Sequence, residues 1–153
     1  MIMKRIFLII ITLLCCTLNN IYSQNAAYVK GKSYEGYIFP KEALLGNPPE
    51  KNRYTLSLED IAMAEKILGE YMKSNKNREI PLPKNRRALK KFTRQYLGYL
   101  SSNNEIIIRI NLFDKRKLED GQSPSTETIP LLGYCCIQIN ITTNKIGRWE
   151  EIK

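Results

Sequence analysis

Between Glu105 and Phe113 every second side chain is large and aliphatic: Ile106, Ile108, Ile110 and Leu112. Cys135, Ile137, Ile139 and Ile141 repeat the pattern nearer the carboxyl end. A period of two belongs to a strand, whose successive side chains leave opposite faces, and it excludes a helix over either run. One face of each strand is thereby committed to a core. The first run follows an aromatic, apolar stretch, Phe92 to Leu100, across the turn Ser101-Ser102-Asn103-Asn104. The second returns through Thr143-Asn144-Lys145 into Ile146 to Ile152, with Trp149 near its end. Two hairpins are predicted, with strands over 92–100, 105–113, 134–143 and 146–152.

Upstream the period changes to that of a helix. Ser57 followed by Asp60 resembles a capping box, and Glu59 suits the positive end of the helix dipole. Leu58, Ile61, Ala62, Leu68, Tyr71 and Met72 then fall on one side, so the spacing predicts an amphipathic helix over 58–74. Pro81 and Pro83 interrupt regular structure before the first strand. The expected class is α+β, one amphipathic helix packed on an antiparallel sheet of about four strands, filling residues 55–153. Residues 24–54 read as an irregular amino-terminal arm with a possible short strand at Tyr34–Phe39, stopped by Pro40, and a loop at Gly46-Asn47-Pro48-Pro49.

A helix followed by antiparallel strands in a small secreted chain resembles the cystatin-like fold. The mature chain also resembles small uncharacterised secreted proteins of Gram-negative bacteria. The stretches that carry this likeness are Leu58-Glu59-Asp60-Ile61, Arg94 to Tyr99, Ile107 to Phe113, and Gly133-Tyr134-Cys135 leading into Ile137 to Asn144. The resemblance implies a fold and an exported location, and no activity. The inhibitory cystatins carry a Gln-x-Val-x-Gly loop and a Pro-Trp hairpin tip. Here Gln95-Tyr96-Leu97-Gly98 lies inside a predicted strand and the tips read Ser101–Asn104 and Thr143–Lys145, so those motifs are missing.

The exported location has its own signal. Lys4-Arg5, the apolar run Ile6 to Leu18 and the small residue Ser23 follow the grammar of a secretory signal peptide over residues 1–23. The run of about thirteen apolar residues is short for a membrane span, which leaves no integral span expected in the mature chain. Periplasmic or extracellular residence follows. A lipid anchor at Cys16 is disfavoured, because Leu14 and Cys15 stand where a lipobox places small residues.

The 153 residues include no histidine, which removes catalytic triads and His-ligated metal. The expectation is a protein without cofactor, metal or catalytic residues. Cys135 and Cys136 are adjacent and too close to bond comfortably to each other. Alternation turns Cys135 toward the isoleucine face and Cys136 away from it. The remaining reactive groups are carboxylates: Asp114, Glu119, Asp120 and Glu127 in one polar connection, and Glu150-Glu151 near the end. A carboxylate-dependent hydrolase needs two of them facing across a cleft, and nothing in the spacing supplies one.

Binding offers two sites. Lys84, Arg86, Arg87, Lys90, Lys91 and Arg94 crowd six cations into a short segment of a chain with net charge +9. They point either to a polyanion, such as nucleic acid or an anionic glycolipid, or to a solvated surface. Tyr99, Arg109, Phe113, Gln138 and Asn140 share the second face of the sheet and form a candidate surface for a protein or peptide partner. The favoured function is a non-catalytic secreted or envelope binding module working through that face, with polyanion binding as the competitor.

Overall fold

A computed structural model describes residues 26–43, 52–74, 80–116 and 135–148. The alternating runs pair as strands. β4 (Phe92–Leu100), β5 (Ile106–Asp114) and β6 (Cys135–Asn140) lie side by side and antiparallel, with Tyr96 opposite Ile110 and Ile110 opposite Ile137. β7 (Lys145–Arg148) adds to β6 through a tight turn. Asn104 and Asn144 take positive φ values of 58° and 56° at the two hairpin tips, conformations that asparagine tolerates better than most residues.

α1 (Leu58–Ser74) begins at the capping box. The Asp60 amide donates to Ser57 Oγ at 3.1 Å, and the Ser57 amide donates to Asp60 Oδ2 at 2.8 Å. Its buried stripe, Ile61, Ala64, Leu68 and Met72, packs with Ile108, Ile110, Leu112, Ile137 and Ile139 in one hydrophobic core. Leu58 and Ala62, expected on that stripe, face outward; Leu58 is 63% exposed. Gly69 and Glu65 take places on the buried side instead.

The expected sheet is corrected on two counts. Seven strands rather than four share it, because β1 (Ala27–Lys30), β2 (Glu35–Phe39) and β3 (Arg53–Tyr54) join the edge of β4 that β5 leaves open. The sheet is also mixed. β1 and β2 form an antiparallel hairpin, but β2 runs parallel to β4, with Gly36 opposite Arg94 and Phe39 opposite Leu97. Parallel neighbours need a long crossover, and the segment containing α1 provides it. β3 then occupies the same lane as β2, antiparallel to β4, opposite Gly98 and Tyr99. Gly98 permits this: a Cβ there would stand 2.4 Å from the Tyr54 carbonyl oxygen. The physical reason for the larger sheet is edge protection, since an uncovered nine-residue apolar strand is a template for aggregation.

Both faces of the sheet are buried at its centre. Phe39, Ala43, Leu97, Tyr99 and Ile107 make a second, smaller core opposite the helix. No helix among the described residues is long and apolar enough to cross a membrane. The leader at 1–23 with Cys16, the loop at Gly46–Pro49, most of the polar connection beyond Arg116 and Trp149 lie outside the described residues.

Candidate anion-binding site

Three chain segments converge at one end of the sheet. Lys30 closes β1, Gly31 to Tyr34 make the turn, and Glu35 opens β2. Lys90 follows the single helical turn α2 (Arg86–Leu89), and Lys115 follows β5. With Lys32 they line a cleft of about 190 Å³. The pairing of β2 with β4 and of β4 with β5 brings them together. The Lys115 amide extends that ladder by one step, donating to the Lys91 carbonyl at 3.2 Å, and its ammonium reaches the Lys90 carbonyl at 3.4 Å.

Among the described residues, four lysines thus share the cleft lining with one carboxylate. Glu35 is ion-paired to Lys115 through Oε1, and its Oε2 accepts from the Tyr28 hydroxyl at 3.3 Å. The hydrogen bond from Lys115 is the main reason the Glu35 carboxyl is held below its ordinary range; desolvation opposes it, and the Lys115 charge, Tyr28 and Lys30 act with it. The cleft walls are anchored to the interior. The Tyr34 ring meets Tyr96 edge to face, 6.5 Å between centroids, and folds over Gly31, where a Cβ would lie 2.4 Å from that ring. Asn85 caps α2 by accepting from the Ala88 amide at 2.9 Å, and buried Leu89 pins the turn to the core.

The basic segment does not act as one surface. Lys84, Arg86, Arg87, Lys90 and Lys91 are exposed, and of these only Lys90 lines the cleft. The Arg86 guanidinium lies against α1, about where a Cβ on Gly69 would be 3.2 Å away. Arg94 is fully buried, a correction to its place among the polyanion residues. Strand alternation explains it: Arg94 shares the helix-facing side with Phe92 and Tyr96. Its Nε stands 2.7 Å from Glu65 Oε1, and Nη1 donates to the Phe92 carbonyl at 2.9 Å. The Nε–H is not aligned on the carboxylate, and Nη2 finds no hydrogen-bond acceptor among the described residues. The Tyr96 hydroxyl donates to the same Glu65 oxygen at 2.8 Å. Burial pushes the Glu65 carboxyl above its ordinary range, while Arg94, Tyr96 and Arg86 pull it back.

The candidate partner face is largely closed. Tyr99, Phe113, Gln138 and Asn140 are all buried, and Arg109 is half-buried. The Arg53 and Arg109 guanidiniums each lie 5.2 Å from the Tyr99 ring centre, so Tyr99 is spent on internal cation–π contacts. Asn140 organises the β6–β7 turn. Its Oδ1 accepts from the Thr142 and Thr143 amides at 3.1 and 3.0 Å, and its Nδ2 donates to Glu105 at 2.7 Å. An asparagine just before a turn was the signal for that role.

Of the candidate acids, only Asp114 is described, and it closes a local loop. It accepts from Arg116 Nε at 2.9 Å, from Nη2 at 2.5 Å and from the Arg116 amide at 3.1 Å. Glu119, Asp120, Glu127, Glu150 and Glu151 lie outside the described residues. Cys135 is buried and its thiol is pushed up to about 11, chiefly by desolvation; Cys136 is half-buried, and neither forms a disulfide. Among the described residues no group of three or more acidic or Cys side chains is placed to hold a metal. Lys30, Lys32, Glu35 and Lys115 escaped the sequence reading, because their convergence depends on the β2–β4 pairing.

Fold and site together define a small mixed-sheet protein with a lysine-lined cleft at one sheet end. Comparison with protein-family models, curated proteins and solved structures finds no match to this chain.

Proposed function

We propose that the protein is a non-catalytic binding module, acting after export, whose ligand is anionic. The observation that carries this reading is that Lys30, Lys32, Lys90 and Lys115 line one cleft, with Glu35 the one carboxylate of its lining among the described residues. Cationic side chains lining one cleft give it a positive potential, which favours an anion. A protein contact through the second sheet face is less well supported, since four of its five candidate residues are buried. The lack of histidine and the protonated, buried Cys135 thiol support binding rather than nucleophilic catalysis.

The test is calorimetric titration of the mature protein with heparin and with tripolyphosphate, at low and at raised salt. Binding is expected to weaken steeply with salt, as counterion release loses its driving force. The Lys32→Ala/Lys90→Ala variant should lose most of it. Failure of both probes to bind, or undiminished binding by that variant, refutes the proposal. Capture of nucleic acid or of a glycolipid in a parallel experiment would assign the source of the negative groups.

A further inference from the structure

We infer that Tyr28 is a stacking platform for a nucleobase whose phosphate lies in the lysine cleft, so that the bound anion is a nucleotide, free or within a single strand. The inference rests on the anion-binding reading above and deepens it.

Strand pairing puts the ring beside the charges. Tyr28 and Lys30 leave the same face of β1, with Val29 buried on the other, and they stand opposite Tyr37 and Glu35 of β2. Lys115 joins that group through its ion pair with Glu35. Tyr28 is 55% exposed, yet it is held in place. Its ring leans on Tyr37, 5.5 Å between centroids and tilted by 60°, and its hydroxyl donates to Glu35 Oε2 at 3.3 Å. A ring fixed at two points loses little freedom when a planar ligand settles on it. An aromatic ring beside lysines is the pairing that receives single-stranded nucleic acid, whose bases stack while the backbone meets the cations. A sugar also lies on aromatic rings, but its hydroxyls need hydrogen-bonding side chains around them. Tyr28, Tyr37, Gln95 and Asn111 form one row across the strands. The two amides of that row are buried and bonded to each other, and Glu35 is engaged by Lys115 and Tyr28. A base face asks for no such partners.

The test holds charge constant and varies the ring. The mature protein, Tyr28→Ala and Tyr28→Phe are titrated calorimetrically with an oligothymidylate and with an abasic phosphodiester strand of equal length. The wild-type protein should bind the strand with bases about fivefold or more tightly. Tyr28→Phe should keep that preference. Tyr28→Ala should reduce it to within about twofold, with abasic-strand and heparin binding unchanged. Thymidine monophosphate against deoxyribose phosphate assigns the source: a preference there too names a free nucleotide, and one confined to the strand names nucleic acid. Equal binding of the two strands by the wild type overturns the platform and leaves the anion-binding reading intact. A preference lost in Tyr28→Phe as well overturns stacking, since the hydroxyl is then its source. Equal weakening of both strands by Tyr28→Ala overturns it as disturbance of the cleft, and matching loss of heparin binding assigns the ring to a sugar instead. Absence of binding to every probe overturns both readings together.

Discussion

Arg94→Ala should be among the most damaging single substitutions in the described chain. The guanidinium is fully buried and faces Glu65, itself only 8% exposed. Truncation leaves that carboxylate in the core with the Tyr96 hydroxyl as its remaining close donor from β4. Breaking a buried pair from one side costs about 3–5 kcal/mol, because the surviving charge has lost both water and partner. The pH dependence is diagnostic. A carboxyl whose pKa is raised by the fold favours folding below its unfolded value, and that advantage is lost as pH rises through the folded value. Removing Arg94 takes away the strongest opposing influence, so the carboxyl rises further and the loss extends to higher pH. Urea denaturation followed by circular dichroism should show a deficit that is smaller near about pH 5 and larger near about pH 8. Glu65→Leu/Arg94→Met should recover most of the loss, because the wild-type guanidinium is itself incompletely hydrogen-bonded. A deficit below about 1 kcal/mol, or one that shrinks as pH rises, refutes the assignment of this pair as a buried charge couple.

Ile108→Ala and Ile139→Ala, both at fully buried positions, should each cost about 2–5 kcal/mol in chemical denaturation, against less than about 1 kcal/mol for Lys115→Ala. Ser57→Ala should cost about 1 kcal/mol by losing the oxygen that accepts from the Asp60 amide, measurable as a shifted denaturation midpoint with an unchanged slope. Protein recovered from the exported fraction should lack residues 1–23, and an intact mass that retains them would contradict the reading of the leader.

What could be read from the chain and what could not divide along the range of the interactions involved. The helix over 58–74 announces itself because its cap and its apolar stripe are local. β5 and β6 do so because isoleucine alternation is local too. β1 and β3 hold four and two residues, too few to display a period, so these two strands stayed hidden in an apparent arm, where only the stretch that forms β2 read as a possible strand. The basic run misled for a related reason. The charges are neighbours along the chain, but the strand begins at Phe92, and alternation turns Arg94 inward. A glutamate on the helix stripe and an arginine on an apolar strand face were two misfits of opposite sign. Their partnership was legible only once helix and sheet were known to meet. The cleft is the extreme case, since its lysines come from three separate segments and become neighbours through the β2–β4 and β4–β5 pairings.

That parallel pairing also fixes when the cleft can exist. The β4–β5 hairpin closes a short loop and can form early, whereas β2 must find β4 across the whole crossover segment, and such non-local pairings are slow. Until the β1–β2 hairpin docks, Lys30 and Lys32 are remote from Lys90 and Lys115, and there is nothing for an anion to bridge. If the proposed anion binds across the two halves, it would act as a clasp on the docking of the hairpin. Such a ligand would slow undocking of the hairpin and keep the edge of β4 covered while it stays bound.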